Sequence, residues 1–340
     1  MLTIGQGLVA QYGTPGVPRP GVDVLWTGWS LPLLPLALIL LAAGLYIQGV
    51  RIDRRRNGAN ALSSRRTAAF MSGLGVIYLA TGSPVEAYDT TLFGVHMVQH
   101  ILLFAIAAPL VMAGTPVTLA IRASSSGFRR SVLLPVLRSK PVEVITFPVV
   151  TWGLFAGVLW ITHITPIFDA TLSNVWLHEL EHAIYLIAAC LFWWPVIGRD
   201  PSRWKLTYPA KLLYLFLGMP VMTFLGLYLI NAEQVVYPTY ATVARTWGPD
   251  PLTDQELAGF IMWAIGGLIF LGWVLAIATM WLAAEERRGE LLNERLDAEA
   301  ERVGPQGLTG VGDPGRDETY VLSDPAASVP RGVGDEGGGG

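Results

Sequence analysis

The chain has 340 residues, of which 52% are hydrophobic and only 14% are charged, and its formal net charge is -3. Soluble domains carry about 25% charged residues, so this composition excludes an ordinary soluble domain and indicates a protein embedded in a lipid bilayer. The single cysteine, Cys190, excludes an internal disulfide framework and a Cys-x-x-Cys metal clamp. We expect the lipid bilayer, and no nucleic acid, among its partners.

Seven windows of mainly apolar residues predict seven transmembrane helices, because about 20 such residues cross the hydrocarbon core as a helix. The windows cover residues 31–50, 67–82, 92–113, 142–162, 175–197, 208–230 and 255–283. The predicted fold class is therefore an all-α, polytopic membrane protein. Some windows contain an internal proline, which lipid-embedded helices tolerate when neighbouring groups satisfy the freed carbonyl: Pro109, Pro148 and Pro220. The first 25 residues hold no apolar h-region, so we expect no cleavable signal peptide.

The direction of insertion follows from the basic residues. The connections after the first, third and fifth windows, the start of the sixth window and the C-terminal region hold 21 of the 23 Lys and Arg residues. By the positive-inside rule these parts are cytoplasmic, which places the N-terminus outside and the C-terminus inside. We therefore predict an extracytoplasmic segment (1–30), a seven-helix membrane domain (31–283), a charged cytoplasmic helix (284–302) and a disordered cytoplasmic tail (303–340).

All five histidines lie between residues 96 and 182, and the predicted topology places each near the outer surface. His96 and His100 open the third window within "HMVQH", and His178 and His182 open the fifth within "HELEH", while His163 closes the fourth. Residues i and i+4 share one helical face, so two helices each present a histidine pair at the same depth. Histidine inside a membrane is costly and usually faces the bundle interior, so the pattern predicts a functional site.

The four paired histidines are the predicted metal ligands: His96, His100, His178 and His182. Three further candidate ligands lie at the same end of the predicted helices: His163, Met97 and Asp254. Two polar residues share the faces of the histidine pairs and are predicted to orient the imidazoles from a second shell: Gln99 and Glu181. Imidazole with thioether suits copper, whereas imidazole with carboxylate suits zinc or iron equally well. The residues alone therefore leave the metal open.

Several other polar or soft side chains receive structural interpretations. The acids near the outer side are interpreted as solvated loop residues that add negative potential: Glu86, Asp89 and Asp169. Two neighbouring tryptophans are interpreted as part of the inner interfacial belt: Trp193 and Trp194. Three residues with sulfur are interpreted as packing residues: Cys190, Met219 and Met222.

Two other functions compete with a metal-transfer role. The string His178-Glu179-x-x-His182 matches the H-E-x-x-H signature of zinc proteases, which need a third protein ligand and a Glu that activates water. Asp200 is excluded as that ligand because it follows His182 by 18 residues, about 27 Å along a helix. The second alternative is an electron carrier in which one histidine from each pair ligates haem. Transmembrane haem helices commonly hold two haems at different depths, but these histidines share one level.

Three stretches carry a resemblance to a known family: "HMVQHILLFAIAAPLVMAGTPVTLAIR", "LHELEHAIYLIAACLFWWPVIG" and "DQELAGFIMW". Over residues 30–285 the chain resembles the CtaG family of bacterial cytochrome c oxidase assembly factors, which are seven-span proteins of the plasma membrane. The resemblance implies a protein that is not itself an enzyme and supports the making of active haem–copper oxidase, with copper delivery or insertion the usual suggestion. It implies the oxidase catalytic subunit or a copper chaperone as partner. The implied ligands are the four paired histidines, with Asp254 beside them.

Overall fold

The computed structural model describes residues 19–244 and 246–307, and every regular element within those ranges is helical. Six helices are long and apolar enough to cross a membrane, and a seventh crossing results when the bent pair Pro148–Ile164 and Ile167–Ser173 counts as one. The predicted all-α, multi-span fold is confirmed. The predicted orientation, with the N-terminus outside, stays a prediction.

The long helical segments follow the predicted windows closely. We label them α1 to α7 in chain order, and they cover Leu33–Asn60, Ser64–Asp89, Phe93–Ala123, Pro148–Ile164, Val175–Ile197, Tyr208–Asn231 and Pro251–Glu299. Within α2, the helix Ser64–Gly82 is followed by a second helix, Pro84–Asp89. The last helical stretch starts within α7 at Gly266 and ends beyond it, at Gly307. Shorter helices include Val24–Thr27, Lys140–Ile145 and Pro238–Thr242.

The fourth crossing begins later than its predicted window. Helix α4 begins at Pro148, which occupies the first turn, and the preceding residues form the separate short helix Lys140–Ile145. The interpretation of Pro148 as an internal proline is therefore wrong, because a ring without an N–H fits the first turn of a helix, where that donor has no partner. After α4 the chain bends by 71° into Ile167–Ser173. Pro166 lies at this bend and disfavours helical geometry in the residue before it.

Helix α3 contains a π-helical stretch, Leu102–Ala107, shortly before Pro109. Proline cannot donate a backbone hydrogen bond to the carbonyl four residues earlier, which here belongs to Ala105. The indole N–H of Trp273 donates to that oxygen at 2.9 Å, and the indole N–H of Trp193 donates to the Phe104 oxygen at 2.8 Å. Trp193 is fully buried, so its interpretation as an interfacial residue is wrong.

Helices α6 and α7 approach each other closely at two glycines. A Cβ added to Gly226 would lie 2.7 Å from the Gly259 carbonyl oxygen, and one added to Gly259 would lie 2.6 Å from the Gly226 oxygen. Small residues allow such close crossings in membranes, where van der Waals packing drives helix association. A second π-helical stretch, Ile261–Ile265, lies within α7 and packs against α6.

The chain divides into two compact units, Met1–Trp281 and Leu282–Gly340. The core of the first unit includes a cluster of aromatic side chains from α3, α5 and α7: Phe104, Phe192, Trp193 and Phe270. In the second unit, the side chains from Glu285 to Glu299 are exposed. Residues 1–18 of the predicted N-terminal segment and residues 308–340 of the predicted tail lie outside the described residues.

Candidate metal centre

Five histidines converge at one end of the bundle, and each is at most 5% exposed. Helix α3 supplies His96 and His100, α5 supplies His178 and His182, and the end of α4 supplies His163. The sequence pairs therefore meet in space, across the contact between α3 and α5.

Side chains hold the first turns of both helices that carry histidine pairs. At the start of α5, the Asn174 side chain accepts hydrogen bonds from the backbone N–H groups of Trp176 and Leu177. At the start of α3, the Asp254 carboxylate from α7 accepts hydrogen bonds from the N–H groups of Phe93 and Gly94 at 2.9 and 3.2 Å. Such caps satisfy donors that a helix leaves free at its first turn. They fix the positions of His96 and His178 on those turns.

The first candidate ligand group consists of His96, His100 and His182, with one ring nitrogen of each within 4.8 Å of the others. The Nε2 atoms of His96 and His100 are 2.9 Å apart. Two imidazole nitrogens on one tetrahedral ion, each at about 2.0 Å from the metal, lie about 3.3 Å apart. The His96 and His100 nitrogens therefore lie close to the spacing that one ion requires.

Gln99 determines which nitrogen His182 offers. The Gln99 amide donates to the Ala80 carbonyl at 2.9 Å and to Glu86 Oε2 at 2.6 Å, so its oxygen faces His182. His182 Nε2 lies 3.1 Å from that oxygen and acts as the donor. The lone pair of His182 is then on Nδ1, which is the nitrogen available to a metal.

A second candidate group consists of Asp89, His96 and His178, again with ligand atoms within 4.8 Å of one another. Asp89 Oδ2 is 3.4 Å from His178 Nε2. The interpretation of Glu86 and Asp89 as solvated loop acids is wrong, because both are buried on the second helix of α2. Ser83, which caps that helix, and Pro84 in its first turn were sequence signals for this extension.

His163 belongs to neither ligand group. Its Nδ1 lies 2.8 Å from the Leu159 carbonyl oxygen and 3.1 Å from the Tyr185 hydroxyl. The bond to the carbonyl makes Nδ1 the protonated nitrogen and leaves the lone pair on Nε2. That Nε2 is buried and has no hydrogen-bond partner among the described residues.

Met97 lines a cavity of about 20 Å³ beside His100. Two further methionines, Met222 from α6 and Met262 from α7, line the same cavity, together with Tyr185. Met222 therefore contacts this cavity as well as the hydrophobic core. The packing interpretation did not include the cavity. A void of this size admits one water-sized species.

The remaining predicted residues lie apart from the two ligand groups. Asp254 holds the start of α3, as described above. Glu181 is buried, and its carboxylate makes no hydrogen bond to a histidine among the described residues. Glu179 lines a mainly apolar groove of about 570 Å³ between α1 and α5, where His182 is a further lining residue.

Two phenols from the connection between α6 and α7 close the centre. Tyr237 donates to the His163 carbonyl oxygen and Tyr240 donates to the Asp89 carbonyl oxygen, both at 2.8 Å. Burial raises the pKa of both phenols above the ordinary value, so they stay neutral donors at physiological pH. Sequence reasoning missed both residues, since nothing in their local pattern indicates such a long-range contact.

A bundle of membrane-crossing helices around a buried histidine cluster defines a polytopic membrane protein with a candidate metal centre. The chain matches the family described as cytochrome c oxidase caa3 assembly factor over residues 44–284, and it belongs to that family. The predicted family is confirmed, and with it the location in the bacterial plasma membrane as a multi-pass protein.

Curated relatives occur in mycobacteria. The chain is 32% identical over 277 residues to an uncharacterized protein of Mycobacterium bovis, a match that covers 79% of this chain and 41% of the relative. It is 29% identical over 276 residues to an uncharacterized protein of Mycobacterium leprae, with 79% and 41% covered. The chain thus spans about two fifths of the length of the curated relatives it matches. No solved structure matches the chain.

Proposed function

We propose that this protein supports the assembly of cytochrome c oxidase by binding copper at the buried histidines and passing it on, without being an enzyme. The family supports the assembly role. The observation that carries the copper role is the group His96, His100 and His182, in which three imidazole nitrogens from two helices lie within 4.8 Å of one another.

The neighbouring methionines favour copper over zinc as the cargo. Met97, Met222 and Met262 come from three different helices and line one small cavity with His100. Thioether sulfur is a soft ligand that selects Cu(I), whereas zinc sites use thiolate, imidazole and carboxylate. The chain offers no thiolate here, since the pocket lining contains no cysteine. Imidazole and thioether ligands without thiolate suit moderate affinity, and therefore transfer rather than storage.

The partner in this proposal is the catalytic subunit of the oxidase or a copper chaperone. The helices α1 and α5 leave a mainly apolar groove between them, and His182 of the proposed copper site is among its lining residues. Through this groove, His182 lies next to the side of the bundle that faces the bilayer.

The geometry gives less support to a zinc protease. The two histidines of the H-E-x-x-H string fall into different ligand groups, His182 with His100 and His178 with Asp89. A zinc protease needs both on one ion together with a third ligand. Glu179 lines the groove between α1 and α5. The lining of this groove is mainly apolar, which favours contact with lipid over a water-filled cleft.

A haem-ligating electron carrier has less support for a steric reason. Axial histidines need to stand on opposite sides of a flat macrocycle. Here the rings pack directly against one another, with centroid separations of 4.4 Å for His96 and His100 and 5.4 Å for His96 and His178. The visible spectrum of the purified protein tests this alternative, because a Soret band would favour it.

The assembly role is tested in a strain that lacks the gene. We expect lower haem a absorbance and lower oxidase activity, with an alternative quinol oxidase unchanged, and recovery when the gene is returned. Unchanged cytochrome c oxidase in the deletion strain would sink the proposal.

The copper role is tested on the purified protein with His100→Ala combined with His182→Ala. We expect Cu(I) retention to be lost while the protein stays monodisperse and helical. The matched control combines Val98→Ala and Leu180→Ala, which shorten neighbours on the same two helices outside both ligand groups. Cu(I) that persists in the histidine variant would show that the ligands are wrong.

A further inference from the structure

We propose that the centre holds a second metal ion, bound by Asp89, His96 and His178 beside the three-histidine group, with His96 shared between the two ions. This inference rests on the proposed copper function and extends it from one ion to two. The second ion is a divalent first-row cation, with Cu(II) the preferred species.

Asp89, His96 and His178 are already close enough together to bind one ion. Their ligand atoms lie within 4.8 Å of one another, and Asp89 Oδ2 is 3.4 Å from His178 Nε2. All three are at most 1% exposed. They come from α2, α3 and α5, so three separate helices bring one donor each to the same point.

His96 has two ring nitrogens, and their surroundings differ. Nε2 faces Nε2 of His100 at 2.9 Å, whereas Nδ1 is buried and makes no hydrogen bond within the described part of the chain. Buried polar atoms are nearly always hydrogen-bonded, so a nitrogen with no protein partner is open to a ligand. After losing its N–H proton, the His96 ring would be an imidazolate that offers one nitrogen to each ion and so connects the two ions.

The burial of the Asp89 carboxyl group also favours a cation at this position. Its carboxylate is fully buried, and in the structure as described its ion-pair partner is His178 rather than a Lys or Arg. A buried carboxylate is costly unless a charged or hydrogen-bonding partner compensates it. The phenol of Tyr240 donates to the backbone oxygen of Asp89 and leaves the carboxylate for another partner.

The two groups differ in ligand type, and this difference indicates which copper ion each group would bind. The first group has imidazoles only and adjoins the cavity lined by methionine, which suits Cu(I). The second group adds a carboxylate, a harder ligand that suits a divalent ion, and among these Cu(II) binds most tightly to nitrogen and oxygen donors. A competing role for Asp89 is to hold the orientation of His178 without touching metal.

The test measures copper per chain by mass spectrometry after the purified, detergent-solubilised protein is loaded with Cu(I) without oxygen and then dialysed against buffered Cu(II). We expect two ions in the wild type, one in Asp89→Asn, one in His178→Ala and one in His100→Ala. Glu179→Gln is the matched control, because it neutralises a neighbouring carboxylate of α5 that belongs to neither group, and it keeps two. The ion lost in Asp89→Asn should be the one with a mixed nitrogen and oxygen signature in electron paramagnetic resonance.

The outcomes separate the two proposals. One copper in the wild type that persists in Asp89→Asn and disappears in His100→Ala overturns the second site and leaves the copper function standing. Two coppers in Asp89→Asn would also overturn the second site. The same holds if the wild type binds one copper and Asp89→Asn binds that copper more weakly. No copper in the wild type defeats the underlying function. If Asp89→Asn does not fold, the number of copper ions per chain in His178→Ala decides between the same outcomes.

Discussion

The Nε2 atoms of His96 and His100 face each other at 2.9 Å, one helical turn apart on α3. The next residues of this helix adopt the π-helical form Leu102–Ala107, so the paired histidines stand at the end of the regular α-helical stretch. π-Helical turns are rare and occur frequently at functional sites. In this helix the irregular backbone begins where the candidate metal centre ends. The Phe104 and Ala105 carbonyls of this stretch accept the indole N–H groups of Trp193 and Trp273.

The methionine-lined cavity predicts a selective effect on Cu(I). Replacing Met97, Met222 and Met262 together by Leu keeps apolar side chains of similar volume and removes three thioethers. We expect Cu(I) affinity to fall by about tenfold or more, equivalent to about 1.4 kcal/mol, while Cu(II) binding stays unchanged. Competition with a Cu(I) chelator measures the change.

The control for this prediction replaces Met112 by Leu, since Met112 is buried in the same core but does not line the cavity. Equal Cu(I) affinity in the triple variant and the wild type would assign the methionines to packing alone.

Glu179 separates an assembly factor from a hydrolase. A protease of the H-E-x-x-H type uses this Glu as general base, and removing a general base costs roughly 10² to 10⁴ in rate. We expect Glu179→Gln to restore cytochrome c oxidase activity to a deletion strain as fully as the wild-type gene does. Oxidase assays on isolated membranes measure this, with the combined His100→Ala and His182→Ala variant as the inactive reference. A complete loss in Glu179→Gln with normal protein levels would favour the hydrolase.

The histidine pairs could be predicted from the sequence because residues i and i+4 share a face whenever the segment is helical. The same reasoning could not place Asp89 against His178, since that contact depends on how α2 packs against α5. It also could not bring Met222 and Met262 to one cavity, because each looks like an ordinary packing residue within its own helix. Pro148 shows why helix boundaries were harder to predict, since an apolar window does not indicate the residue at which a helix begins.

Asp254 is predicted to position α3 rather than to bind the first copper. Its two oxygens accept the N–H groups of Phe93 and Gly94, and Asp254→Ala removes both bonds. Loss of such a cap costs about 0.5 to 2 kcal/mol. We expect lower stability in Asp254→Ala and the wild-type number of copper ions in Asp254→Asn, which keeps one acceptor oxygen. Thermal unfolding and metal analysis check the two parts, and loss of copper in Asp254→Asn would make Asp254 a ligand.

The adjacent tryptophans Trp193 and Trp194 offer a matched test of the hydrogen bond that supports the π-helical stretch. Trp193 donates to the Phe104 oxygen at 2.8 Å, whereas the buried indole nitrogen of Trp194 has no hydrogen-bond partner among the residues described. Both Trp→Phe changes remove the same atoms, but only Trp193→Phe leaves a buried carbonyl unpaired. An unsatisfied buried acceptor costs about 1–3 kcal/mol.

We therefore expect Trp193→Phe to lower the free energy of unfolding by about 1–3 kcal/mol more than Trp194→Phe does. Denaturant titration of the detergent-solubilised variants, followed by helical circular dichroism, measures the difference. Because Phe104 also lines the cavity beside His100, Trp193→Phe should weaken Cu(I) binding as well, and Trp194→Phe should not. Equal stability and equal Cu(I) affinity in the two variants would show that the π-helical carbonyl does not need its indole donor.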